Sequence, residues 1–96
     1  MEKENNPVKR YMYTIQDPNG MHARPAGALA TLAKRFSSDI RVHANGKEAD
    51  AKRLLSLMSL GATCGTELQF DINGADEDTA EQALRDFFSK AQSGEA

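Results

Sequence analysis

Cysteine is nearly missing from this chain: Cys64 is the only one in 96 residues. That excludes an intramolecular disulfide and any zinc centre built on cysteines. Cys64 sits in the turn-like stretch Gly61-Ala62-Thr63-Cys64-Gly65, where no neighbouring pattern would activate a thiol. Long apolar runs are missing as well, so no segment is expected to insert into a membrane. Met1 to Arg10 is polar and charged with no apolar region behind it, unlike a signal peptide, and the expected compartment is the cytoplasm. Histidine is limited to His22 and His43, without a matching carboxylate pattern, so no metal site and no cofactor are expected. An overall basic excess is also absent. The net charge of −2 argues against nucleic acid as a partner.

What is present suits one small domain. The chain is 40% hydrophobic and 27% charged, enough for one core under a soluble surface. At this length the stability margin is thin. Charge is unevenly spread: residues 1–66 carry ten Lys and Arg against six Asp and Glu, whereas residues 67–96 carry two against eight. A basic face around Arg24, Lys34, Lys52 and Arg53 could therefore steer the molecule toward an acidic partner.

Residues 1–10 read as a flexible arm, 11–91 as the domain and 92–96 as a tail. Tyr11 to Gln16 alternates as a strand with one apolar face. Asp17-Pro18-Asn19-Gly20 is a turn. Ala26, Leu29, Ala30, Ala33 and Phe36 recur at helical spacing, which predicts a helix over about Ala23 to Arg35. Ile40 to Ala44 is a second strand, Asn45-Gly46 a hairpin turn, and Lys47 to Ala49 a short return strand. A second helix is expected from about Ala51 to Leu60, with Asp50 as its N-cap. Its apolar residues exceed a single stripe, so part of it should stay exposed. Thr66 to Ile72 is a further strand, and residues 76–91 form a last helix. The acidic first turn of that helix, Asp76 to Asp78, suits the positive helix end as solvated carboxylates. The order βαββαβα implies an α+β fold, one sheet with helices on a single face.

The chemically informative segment is Asn19-Gly20-Met21-His22-Ala23-Arg24-Pro25-Ala26. It puts a histidine at the start of a helix and an arginine two residues later. Unpaired amides and the helix dipole favour a neutral imidazole there, and an anion beside it. A phosphoryl group on that nucleophilic ring would lie over the amides and within reach of Arg24, whose planar fork suits phosphate. Pro25 is harmless in a first turn, where the missing N–H had no partner. A histidine before a helix is also commonly only a weak cap or a surface residue, and spacing alone does not decide between these.

Gly20-Met21-His22-Ala23-Arg24-Pro25-Ala26 resembles the active-site signature of HPr, the histidine phosphocarrier family of the bacterial sugar phosphotransferase system. Further stretches resemble the same family in order: Phe36-Ser37-Ser38-Asp39-Ile40, Asn45-Gly46-Lys47, Met58-Ser59-Leu60-Gly61 before Gly65, and Gly74-Ala75-Asp76-Glu77. The resemblance implies an open-faced β-sandwich, a four-stranded antiparallel sheet covered on one side by three helices. It implies that His22 takes a phosphoryl group on Nδ1 from phosphorylated Enzyme I and passes it to the IIA component of a sugar permease. Arg24 would steady the group, Pro25 would set the first turn, and Asn19, Gly20 and Ala23 would shape the phosphate site. Leu54, Leu55 and Met58 would form a partner-docking patch, although plain core packing is the competing reading of their pattern. The family is usually monomeric. Such a protein is a carrier and not a turnover catalyst, because its histidine is consumed and regenerated.

One position departs from the family. Where many relatives carry a regulatory serine at the start of the second helix, this chain has Arg53, which a kinase cannot phosphorylate. Ser56 and Ser59 match other family positions. That departure, with Glu48-Ala49-Asp50-Ala51, keeps open an NPr-like carrier of the nitrogen-related phosphotransferase system. A regulatory binding module that carries no phosphate is the third reading.

Overall fold

The computed structural model describes residues 9–92. The expected arm and tail lie outside these residues except for Lys9, Arg10 and Gln92, which belong to regular elements. The chain runs β1 (Lys9–Thr14), α1 (Ala23–Ala33), β2 (Asp39–Ala44), β3 (Lys47–Asp50), α2 (Leu54–Met58), β4 (Glu67–Asn73) and α3 (Glu77–Gln92). The strands form one sheet in the order β1-β4-β2-β3, antiparallel throughout.

Strand alternation decides which face is covered. The register sets Tyr13 opposite Leu68 and Val42 opposite both Phe70 and Ala49, so the apolar residues of all four strands share one face. Buried positions of the three helices close over it: Ala26, Leu29, Ala30 and Ala33 from α1, Leu57 from α2, and Ala80, Leu84 and Phe88 from α3. The ring of Phe88 stacks on Tyr13, with centroids 4.0 Å apart, and fixes α3 against the sheet edge. The opposite face presents Arg10, Met12, Arg41, His43, Gln69 and Asp71. This is the expected open-faced arrangement.

Asp71 gathers that polar face. It accepts from Arg10 Nε at 2.9 Å and from Gln69, and lies 3.1 Å from His43 Nε2. Partial burial would raise its pKa, but the hydrogen bond and charge of Arg10, with Gln69 and His43, outweigh this and hold it below the ordinary carboxylate value. His43 is half-buried in this cluster.

The Asn45-Gly46 turn is built as its sequence suggests. Both residues have positive φ, 53° and 75°, which suits a two-residue hairpin loop between right-twisted strands. The Asn45 side chain also donates to the carbonyl of Leu60 at 3.0 Å, tying the hairpin to the end of α2.

Several boundaries differ from the sequence pattern, each for a physical reason. β1 starts at Lys9, inside the expected arm. Lys9 pairs with Ile72 in the ladder, and its ammonium reaches Asp78 of α3 at 3.0 Å. α1 ends at Ala33, because Arg35 and Phe36 donate to carbonyls three residues back and tighten the last turn. α2 is shorter than expected. Ala51 is fully buried, and its N–H continues the sheet pairing to Ile40 O at 2.9 Å. Asp50 does not cap the helix. Its Oδ1 accepts from Lys52 N at 2.9 Å and its carbonyl from Arg53 N at 3.0 Å, closing a turn. Arg53 takes the N-cap place instead, with extended backbone angles.

Asp76 is the largest difference in role. It is not a solvated carboxylate. It accepts from the amides of Ser37 and Ser38, each at 2.9 Å, and from the Ser38 hydroxyl, while its own carbonyl takes the first helical bond of α3 from Ala80 N. One side chain thus bolts the start of α3 to the turn between α1 and β2. Gly74 permits this closeness, since a Cβ there would sit 2.6 Å from Ser38 Cα. The Ser38 hydroxyl and the Ser37 and Ser38 amides lower the Asp76 pKa from 3.8 to about 2. A depressed carboxylate stabilises the fold fully above its unfolded value and loses that contribution as pH falls through the folded value. Asp76→Asn is therefore expected to lower Tm at pH 7. The gap from wild type should persist down to about pH 4 and shrink toward pH 2, as read by circular dichroism melts across that range.

Candidate functional site

The loop from β1 to α1 is shaped before it reaches the helix. Gly20 N–H donates to Asp17 O at 2.9 Å, and Asn19 N–H donates to Asp17 Oδ1 at 2.8 Å, so Asp17 organises the turn with both its backbone and its carboxylate. Gly20 is required twice over. Its φ is +69°, and a Cβ would lie 2.6 Å from Ala62 O and 2.8 Å from Thr63 Cα. That close approach lets Met21 N–H donate to Ala62 O at 3.0 Å while the Met21 side chain is buried.

His22 follows as the N-cap of α1, with φ −86° and ψ −175°; Ala26 N–H donates to its carbonyl at 3.0 Å. The amides of Ala23 and Arg24 then have no intrahelical acceptor. Pro25, in the same turn, has no N–H to leave unpaired. The His22 ring makes no capping bond to this helix. Its side chain is half-exposed, and Nε2 lies 3.5 Å from Asp17 Oδ2. Arg24 is exposed, with no hydrogen-bond or ion-pair partner among the described residues. Asn19 and Ala23 are exposed, Pro25 is half-buried, and Gly20 is buried. An imidazole so placed can take an electrophile on a ring nitrogen, and an anion attached there would meet the positive end of α1.

The apolar residues of α2 divide between two environments. Leu57 and Leu60 are fully buried, whereas Leu54, Leu55 and Met58 are 38%, 79% and 40% exposed. α2 packs against α1. The turn after it, where Gly61 N–H donates to Met58 O, leads directly to the Ala62 carbonyl that holds Met21. Arg53 is exposed at the head of α2, 3.8 Å from Asp50 Oδ2. The nearby serine hydroxyls have local work: Ser56 Oγ accepts from Asp50 N, and Ser59 Oγ donates to Ser56 O at 2.6 Å. Of the expected basic face, Lys52 is diverted to structure, since its ammonium donates to Phe36 O at 2.8 Å. Arg24, Lys34 and Arg53 remain at the surface.

Two features near His22 escaped the sequence pattern. Asp17 read only as a turn residue, although an acid five positions before the histidine was visible. An apolar groove lined by Tyr13, Pro25, Ala28, Leu32, Ala83 and Phe87 opens beside His22 and Arg24, and its two walls come from helices distant in sequence. Among the described residues, no three His, Cys, Asp or Glu side chains are grouped as a metal site would need, and no helix is long and apolar enough to cross a membrane.

An open-faced sheet of this order, with a histidine at the head of its first helix, is the architecture of the histidine phosphocarriers. The chain belongs to the HPr family: the family model described as "PTS HPr component phosphorylation site" matches residues 10–90. The histidine-containing phosphocarrier protein of Mycoplasma superposes with a TM-score of 0.83 at 35% identity, over 86% of this chain and 94% of that one. The phosphocarrier protein HPr of Bacillus anthracis gives 0.78 at 30% identity, over 85% and 98%. Crh of Bacillus subtilis, described as a domain-swapped dimer, gives 0.67 at 30% identity, over 94% and 95%. At least one protein similar to this chain is thus described as a dimer.

Gly20→Ala tests the loop geometry. The wrong φ and the collision with Ala62 should cost more than about 1 kcal/mol in urea unfolding. They should also displace the Met21 amide resonance, which reports the bond to Ala62.

Proposed function

We propose that this chain is the phosphocarrier of a sugar phosphotransferase relay. His22 accepts a phosphoryl group from phosphorylated Enzyme I, charged by phosphoenolpyruvate, and passes it to the IIA component of a sugar permease. The observation that carries this reading is the place of His22: its ring is uncapped and half-exposed, at a helix end whose Ala23 and Arg24 amides lack acceptors. A phosphoryl group on the ring meets those amides, and the unpaired Arg24 guanidinium closes on it from solvent. Asn19 and Gly20 set the loop that presents the ring. Ala23 offers an amide without a bulky side chain, and Pro25 sets the first turn.

The exposed Leu54, Leu55 and Met58 serve as the docking patch for Enzyme I and IIA. A carrier must leave each partner quickly, which suits a small patch and not a large permanent interface. The protein works as a monomer in the cytoplasm, where both partners meet it.

A second reading is favoured by Arg53. With no hydroxyl at the head of α2, a serine-kinase switch is lost there, as would suit an NPr-like carrier in the nitrogen-related system. A third role is a regulatory module that binds without carrying phosphate; likeness to Crh, a protein named for catabolite repression, is in keeping with regulation.

Incubation with phosphoenolpyruvate and the sugar-system or nitrogen-system Enzyme I of the same organism separates these. A one-phosphate mass gain, acid-labile and alkali-stable, is expected in wild type and not in His22→Ala. The Enzyme I that drives it identifies the circuit. No gain with either, and unchanged partner binding by His22→Ala, would support the non-carrying module. Arg24→Ala should slow phosphoryl acceptance about 10- to 100-fold, the size of a lost charge-assisted hydrogen bond, with Tm within a degree or so of wild type. Unchanged transfer would remove Arg24 from the site.

A further inference from the structure

The two ring nitrogens of His22 face different surroundings. Nε2 looks at Asp17 Oδ2 across 3.5 Å, a distance that permits attraction between charge and N–H but is long for a hydrogen bond. Nδ1 makes no bond to the helix amides, although His22 occupies the N-cap. The Asp17 carboxylate cannot drift freely away, because its other oxygen accepts from Asn19 N–H at 2.8 Å and its carbonyl accepts from Gly20 N–H. A side chain anchored by its own turn therefore holds a negative charge against one specific atom of the ring.

We propose that Asp17 is a positioning residue that selects Nδ1 of His22 as the phosphoryl acceptor. This rests on the reading of His22 as that acceptor. The carboxylate acts in two ways. It favours the tautomer with the proton on Nε2, which leaves the lone pair on Nδ1. It also repels an approaching phosphoryl dianion from the Nε2 side.

The transfer balances without any further reactant. With a phosphohistidine as donor, the Nδ1 lone pair forms the new N–P bond as the donor's P–N bond breaks, and the electron pair of that bond stays on the donor's ring nitrogen. A donor ring protonated on its far nitrogen leaves as neutral imidazole. Nε2 of His22 keeps its proton throughout. The phosphorylated ring then carries positive charge at Nε2–H, facing Asp17, while the phosphoryl oxygens at Nδ1 face the helix amides and Arg24. Opposite ends of one imidazole thus meet opposite charges. The contact tightens as that positive charge develops, as proton-relay contacts commonly do between the resting and the reacting state.

Asp17→Asn is the discriminating variant. Asparagine keeps an oxygen for the Asn19 amide, so the turn survives, but it puts an amide group in place of the carboxylate and removes the charge. Two readouts are taken without Enzyme I. The first is the His22 tautomer, from ring 15N NMR shifts. The second is the site and rate of phosphorylation by phosphoramidate, which releases ammonia as the N–P bond forms, read by 31P NMR.

Wild type should hold its proton mainly on Nε2 and gain phosphate on Nδ1. Asp17→Asn should shift population toward the other tautomer, slow the gain at Nδ1 about two- to fivefold, as suits a half-exposed charge pair, and raise the fraction on Nε2. A variant with the wild-type tautomer ratio and product ratio overturns the proposal. So does wild-type protein that holds its proton mainly on Nδ1, a result that needs no variant to fold. If the tautomer responds to Asp17 but Enzyme I transfers nothing, the carrier reading fails and the inference about the ring stands.

Discussion

A single hydrogen bond, from Met21 N–H to the Ala62 carbonyl at 3.0 Å, sets where the candidate site lies. It joins the loop before α1 to the turn after α2, two segments far apart in sequence. Gly20 makes it possible, because only a residue without Cβ fits against Ala62 and Thr63 at positive φ. Met21 then buries its side chain, and the next residue must emerge at the surface at the head of α1. The position of His22 and the half-exposure of its ring follow from this crossing. The same bond ties the site to α2, so the exposed Leu54, Leu55 and Met58 are held in fixed relation to the histidine by the fold.

The sheet serves as the rigid base for this arrangement. Its covered face carries the aliphatic and aromatic core, and β1 enters the site loop directly from an edge strand locked by Tyr13 against Phe88. Asp76 performs a similar locking role on the far side, where it joins the start of α3 to the turn between α1 and β2. Both ends of α1 are thereby fastened, its start by Met21 and its end through that turn. For the anion-binding role proposed for the head of α1, being held in place is an advantage, since no reorganisation is then needed when the charge arrives.

Much of this was legible in the sequence, where local pattern and final structure agree. Strand alternation, the Asn45-Gly46 turn and the helical spacing in α1 each depend on neighbours in the chain, and the element order followed from them. His22 and Arg24 stood out because the motif around them is local too. The misread features depend on distant partners. Asp76 looked like a solvated helix-start acid because Ser37 and Ser38 lie almost forty positions away. Ala51 looked helical because its burial under the sheet and its bond to Ile40 are tertiary. Lys9 looked like part of an arm because its ladder partner Ile72 and its ion partner Asp78 are at the other end of the chain. Asp17 was hidden differently: its turn role is evident from the sequence, whereas the approach of its second oxygen to the ring arises only in the folded loop.

The proposed relay depends on the α1 N-terminus receiving the phosphoryl group on His22. Amide NMR of the phosphorylated protein tests it most directly. The Ala23 and Arg24 amide resonances should move strongly downfield on phosphorylation, as amides that gain an anionic acceptor do, while those of β2 and β3 stay in place. Phosphorylated protein whose Ala23 and Arg24 amides do not respond, or whose shifts centre on another residue, would contradict the claim.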